Sequence, residues 1–140
     1  MSNSPQYELN STATQEKIKT LATDISSEKL AYEIAEAADD KKASDIVLLK
    51  VTEISYLADY FVIATGFSTT QVKAICDSIE EQIREKYQLE PLRIQGKTDG
   101  RWVVVDYGEV IVHIFMQEER EYYNLEAFWG HAERTEFISS

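Results

Sequence analysis

R-W-V-V-V-D-Y-G-E-V-I-V-H-I-F-M-Q-E-E-R-E-Y-Y-N-L-E-A-F-W-G, Arg101 to Gly130, decides how this chain folds. Arg101–Asp106 and Glu109–Phe115 are rich in β-branched and aromatic residues, which suit a pleated surface. Between them Gly108 supplies the positive φ that a tight hairpin turn requires. Alternation places Trp102, Val104 and Asp106 on one face and Val103 and Val105 on the other. On the returning strand Val110, Val112 and Ile114 oppose Ile111, His113 and Phe115. Large apolar groups on both faces predict a hairpin inside a sheet. Trp102, Asp106 and His113 stand out in it, because a buried Asp or His needs a partner and an exposed Trp marks a binding surface. His113 reads as a hydrogen-bonded sheet residue, with Asp106 or Glu126 as the candidate partner.

After the hairpin a helix is predicted from about Glu118 to Trp129. Its apolar side is Tyr122, Leu125 and Phe128 or Trp129, and Gly130 stops it. Residues 131–140 read as a polar tail. Upstream, Leu30, Ile34 and Ala37 follow helical spacing behind Ser26 or Ser27, a good N-cap, so a helix is predicted from Ser27 to about Asp40. Asp45–Thr52 reads as a central strand and Asp59–Thr65 as a second, ending at Gly66. Ser68-x-x-Gln71 is a capping box. Behind it Val72, Ile75, Cys76, Ile79, Ile83 and Tyr87 make the strongest helical stripe in the chain, Thr69–Tyr87. Leu92–Gln95 is a short strand after Pro91, and Gly96–Gly100 a polar loop. The order α-β-β-α-β-β-β-α predicts an α/β domain over residues 26–130, a mixed sheet of about five strands flanked by helices. Residues 1–25 are expected to be a disordered or loosely ordered extension, with a frayed turn after about residue 15.

The 140-residue chain carries a net charge of −11. That excess argues against nonspecific or sequence-specific nucleic-acid binding and favours basic partners. The single cysteine excludes an internal disulfide and a cysteine-cluster zinc site. With no long apolar run and no signal peptide, a soluble cytoplasmic protein without membrane association is expected. Cys76 lies in the helix stripe and reads as a small core residue. His113 and His131 lack metal-ligand spacing, so no metal, cofactor or catalytic residue is predicted. Gly66-Phe67-Ser68 is the one loop with enzyme-like chemistry. A strand, Gly-x-Ser and capped helix is how nucleotidyltransferases hold a triphosphate, so a small nucleotide-binding enzyme using Gly66, Ser68 and Asp59 or Asp106 is the alternative. It lacks the close carboxylate pair that Mg²⁺ requires. The aromatic set Trp102, Tyr107, Tyr122, Tyr123, Phe128 and Trp129 divides between sealing the last helix and forming an interface with a charged rim.

The blocks Asp59–Gly66, Ser68, Gln71-Val72, Gly96, Gly100, Trp102, Asp106–Gly108, Val112–Phe115, Arg120, Tyr123, Leu125-Glu126 and Trp129 resemble the ribosomal silencing factor (Iojap-like) family. The likeness covers Leu30 to Trp129. It implies a nucleotidyltransferase-like fold without catalytic carboxylates and without enzyme activity. It further implies binding to the large ribosomal subunit at its basic fourteenth protein, a steric block to subunit joining, and repression of translation under nutrient limitation. Organellar relatives assist large-subunit assembly, and a homodimer is implied off the ribosome. The candidate partner-binding residues are Trp102, Asp106, Tyr107, His113, Arg120 and Tyr123, with Tyr107 expected on the turn beside Trp102.

Overall fold

The computed structural model describes residues 25–139 apart from 54 and 56. The disordered extension expected at the N-terminus, the frayed turn after it, and Tyr56 therefore lie outside the described residues. Helix α1, Ser27–Asp39, starts where the Ser26 hydroxyl accepts from the Lys29 amide at 3.1 Å. Strands β1 (Ser44–Lys50) and β2 (Tyr60–Gly66) follow, then helix α2 (Thr69–Tyr87), with the bounds that its stripe predicts. Strands β3 (Arg93–Gln95), β4 (Trp102–Asp106) and β5 (Val110–Met116) complete the central sheet.

The strand order is β3-β4-β5-β2-β1-β6. All neighbours are antiparallel except β2 and β5, which run parallel from Tyr60↔Val110 to Gly66↔Met116. A parallel pair needs a crossover, and α2 provides it. Strand β2 is buried along its whole length. The β4–β5 hairpin lies inside the sheet, as its two apolar faces require. Gly108, at φ +90°, makes its turn, and the Asp106 carboxylate accepts from the Gly108 amide at 2.7 Å.

Both long helices pack on one face. Leu30, Ala31, Ile34, Ala35 and Ala38 of α1, with Val72, Ile75, Cys76, Ile79 and Ile83 of α2, cover Val62, Ala64, Val103, Val105, Val112 and Ile114. The alanines let α1 approach α2 closely, and the Ser78 hydroxyl donates to the Ala37 carbonyl at 2.9 Å between them. Ser68 caps α2 by accepting from the Gln71 amide at 3.0 Å. The Gln71 side-chain nitrogen in turn donates to the carbonyls of Lys41 and Lys42, at 3.0 and 3.1 Å. The capping box thus ties the start of α2 to the α1–β1 loop.

Two expectations are corrected. The last helix is two: α3 (Gln117–Tyr123) and α4 (Leu125–Phe128), broken at Asn124, which takes the left-handed conformation at φ +47°. Asn tolerates that region because its short side chain bonds locally. The stretch read as a polar tail contains strand β6, Glu133–Glu136, paired with β1 from Val47↔Glu136 to Lys50↔Glu133. The sheet therefore has six strands, against the expected count of about five. An edge strand is held by its backbone bonds, so Glu-Arg-Thr-Glu needs no apolar alternation.

Cys76 is fully buried, and burial pushes its thiol up to about 12. It packs within the core, as its place in the stripe predicts. Cys76→Ala is expected to leave the fold intact and to cost about 1 kcal/mol, the scale of a small buried group. Urea denaturation of the two proteins measures it, and a cost several-fold larger would contradict simple packing.

Candidate functional site

The face opposite the helices holds the candidate site. Alternation puts Trp102, Val104 and Asp106 on it, opposite Phe115, His113 and Ile111 of β5. The parallel pairing extends the rows, Ile111 to Phe61 and His113 to Ile63. Part of this face is a second core of Val47, Leu49, Val51, Phe61, Ile63 and Phe115, against which Leu125 and Trp129 pack. The remainder has no cover among the described residues. It forms a mostly apolar depression of about 520 Å³ between Leu57, Phe61, Trp102, Val104, Ile111 and His113.

Trp102 anchors it. Its ring stacks on Phe115 at 5.0 Å and meets Tyr123 at 4.5 Å between centroids. Its indole N–H donates to His113 Nδ1 at 3.1 Å. That bond replaces the predicted pairing of His113 with Asp106 or Glu126. His113 is buried, stands edge-on to Phe61 at 5.4 Å, and has no counter-charge. Burial holds its imidazole well below the ordinary range, at about 4. At neutral pH it is uncharged, so Nδ1 carries the lone pair that the Trp102 donor uses.

The aromatic side chains form one connected series. Tyr122 meets Tyr123 at 5.0 Å, Tyr123 meets Trp102, and Trp102 reaches Phe61 through His113. Trp129 closes it, edge-on to Phe61 at 5.2 Å and to Phe128 at 5.2 Å. At its outer ends Tyr122 is 80% exposed and Phe128 76%. Glu118 and Glu119 border Tyr122 and Tyr123.

Of the six candidate residues, the fold brings Trp102, His113 and Tyr123 together. Asp106 shares their face but stands at the other end of β4, where it holds the turn and faces Arg93 at 3.3 Å. Tyr107 is not beside Trp102. It lies on the helix-covered face, in step with Val103 and Val105, where it is 5% exposed and its buried hydroxyl has no partner among the described residues. Arg120 is 8% exposed. Its guanidinium donates from Nη1 to the Asp45 carbonyl at 2.6 Å and the Thr65 hydroxyl at 2.7 Å. From Nε and Nη2 it donates to the two Glu126 carboxylate oxygens, at 2.9 and 3.1 Å. Arg120 is a buried clamp, not a rim charge.

Reasoning from sequence misses Val104, Ile111, Phe61 and Leu57. Val104 is legible, since it alternates with Trp102. Leu57 is 75% exposed, and nothing local marks it.

The enzyme-like loop does not assemble. Gly66 ends β2, whereas Asp59 precedes its first residue, seven residues earlier. At ~3.3 Å per residue that is roughly 23 Å. Asp106 pairs with Ile111, and Ile111 with Phe61, which puts Asp106 at the Asp59 end. The Ser68 hydroxyl is taken by the Gln71 amide. Neither carboxylate comes near the loop. No cluster of three or more metal-ligating side chains occurs among the described residues. Among them no helix is long and apolar enough to cross a membrane.

The fold is an α/β sheet with both long helices on one face and an aromatic-lined depression on the other. The model of the family described as "Ribosomal silencing factor during starvation" matches residues 24–139, and the chain belongs to that family. A ribosomal silencing factor from Bacillus subtilis is 47% identical over 98 residues, which are 70% of this chain and 82% of that protein. A crystal structure of a Chromobacterium violaceum protein superposes with a TM-score of 0.74 at 30% identity, covering 82% of this chain and 95% of that one. A more distant relative is the mouse "Mitochondrial assembly of ribosomal large subunit protein 1", 33% identical over 64% of this chain and 40% of its own length.

The His113–Trp102 pair predicts an acid response. The neutral imidazole is favoured in the fold, so the unfolded chain binds the extra proton first. This contribution is complete above pH ~6.5 and is lost as pH falls from there through about 4. Carried through that whole interval, the difference in proton affinity amounts to about 3 kcal/mol. His113→Gln keeps an acceptor for the Trp102 indole but cannot take a proton. Its stability is therefore expected to fall less than the wild type's between pH 7 and pH 4, by about that amount. Parallel stability–pH curves for the two proteins would contradict it.

Proposed function

We propose that this protein binds the large ribosomal subunit through the open sheet face, blocks subunit joining by its bulk, and so represses translation when nutrients are short. The observation that carries the reading is the uncovered apolar depression with Trp102 at its edge and Tyr123 beside it. A protein with the core available to close such a surface leaves it open when a partner is to cover it. Trp102, Val104, Ile111 and Tyr123 are the contact residues we assign, with His113 in the floor and Asp106 at the rim.

The partner we assign is the basic fourteenth protein of the large subunit. The net charge of −11 favours a basic surface, although Glu118 and Glu119, which border Tyr122 and Tyr123, are already paired with Arg101. The name of the mouse relative, which refers to large-subunit assembly, supports the choice of subunit. We assign the action to the cytoplasm and attribute no reaction to the chain. Off the ribosome, a second copy seated on the same face would form a homodimer.

Asp106→Lys is a poor probe of this reading, because Asp106 holds the hairpin turn. Val104 is the better one, since it lies in the depression and its side chain makes no polar contact. Val104→Lys is expected to weaken co-sedimentation with purified large subunits at least tenfold while thermal melting stays within a few degrees. Trp102→Ala is expected to cost about 2 kcal/mol or more of binding, as central aromatic anchors do, together with some stability. Small subunits should recover neither the wild type nor the variants. Wild-type recovery of Val104→Lys with large subunits would remove this face from the site.

A further inference from the structure

The α3–α4 segment, Gln117–Phe128, is a cap over one end of the open face. Its apolar hold is thin. Arg120 is the one buried residue of α3, and α4 has none. Leu125 and Trp129 reach the second core but are only partly buried. Yet this cap carries Tyr123, which packs on Trp102, and it is followed by Trp129, which packs on Phe61.

Arg101 donates to Glu118 and Glu119 on the exposed side of α3, and the buried hold on the cap is the Arg120 guanidinium. It joins α3 to α4 through Glu126, to the start of β1 through the Asp45 carbonyl, and to β2 through the Thr65 hydroxyl. Arg134 of β6 donates to the same Glu126 carboxylate at 2.9 Å. The receptor is built for it. The register of β1 against β2 shifts between Ser44 and Val47, and within that break Asp45 sits at φ +48°. A residue with a Cβ rarely takes this left-handed conformation. The irregularity leaves the Asp45 carbonyl outside the ladder and available to Arg120. Arg120 and Arg134 hold the Glu126 carboxyl below the ordinary range against the opposing effect of burial.

We propose that Arg120 is a positioning residue: it fixes the α3–α4 cap so that Tyr123 and Trp129 border the depression, and it sets the shape of the docking face without touching the partner. This rests on the docking reading above. A planar, multidentate guanidinium fixes direction, whereas apolar contact alone would let the cap slide.

The test uses Arg120→Lys, which keeps the charge but not the fork, and Glu126→Gln, which keeps the shape but not the charge. In ¹⁵N-labelled full-length protein, each variant is expected to move the Trp102 and Trp129 indole signals while the amides of α2 and β5 stay in place. Each is expected to lower binding to purified large subunits at least tenfold. Unmoved indole signals would overturn the proposal. So would loss of the α2 and β5 signals along with the indoles in both variants, since Arg120 would then serve the whole core. Val104→Lys on the same subunits separates the two levels. If it binds poorly while variants with a loosened cap bind normally, the positioning role alone fails. If it binds normally, the docking reading fails and takes this proposal with it.

Discussion

Strand β2 runs parallel to β5, and that pairing constrains everything around it. Parallel neighbours cannot be joined by a tight turn, so the chain must leave the sheet, cross over one face and return. Helix α2 makes that crossing, and its stripe of Val72, Ile75, Cys76, Ile79 and Ile83 commits it to a single face. Helix α1 packs beside it, tied by the Ser78–Ala37 bond and the Gln71 contacts to the α1–β1 loop. With both long helices on the same side, the described residues leave α3, α4, the residues after them and the β1–β2 connection for the other, and these cover only part of it. Among the described residues the open face is therefore a consequence of topology, and the residues on it can be selected for contact rather than packing.

That face is kept uncharged at its floor. His113 could carry a proton in water, but burial among Phe61, Phe115 and Trp102 keeps it neutral, and the indole N–H takes its lone pair. Carboxylates are confined to the border, at Glu118 and Glu119 beside the tyrosines and Asp106 at the turn. An apolar centre with a charged rim is the arrangement in which the centre supplies affinity and the rim supplies steering and orientation.

Much of this is legible in the sequence. The bounds of α2 come directly from its stripe and Ser68, and the hairpin from Gly108 and the alternation about it. What cannot be read has identifiable physical causes. Strand β6 is polar and held by main-chain bonds to β1, so its side chains give no pattern. The break at Asn124 is a single left-handed residue inside a run whose apolar spacing continues through it. Tyr107 continues the alternation of Val103 and Val105 onto the helix-covered face, so the expectation that places it beside Trp102 at the turn runs against the pattern. At the site, Trp102, His113 and Tyr123 come together, since strand pairing brings two of them within one hairpin. Arg120 reads as a surface charge from its neighbours in sequence. Its partners, Asp45, Thr65 and Glu126, come from β1, β2 and α4, and only Glu126 is near it in the chain.

The cost of that arrangement is itself informative. Removing an arginine and a glutamate from water is expensive, and a well-packed apolar pair in their place is often as stable or more so. Stability alone therefore does not explain Arg120 and Glu126. Nor does the cap need them to bury apolar surface, because it buries little. An ion pair differs from apolar contact in being directional: the guanidinium meets four acceptor atoms at once only in one orientation of α3 and α4 relative to β1 and β2. Asp45 accepts an unfavourable backbone conformation at the point where its carbonyl joins that set. Backbone strain and a buried charge thus occur together beneath the one segment whose aromatic side chains border the open face. Both are accounted for if the quantity maintained is the placement of Tyr123 and Trp129 relative to Trp102 and Phe61.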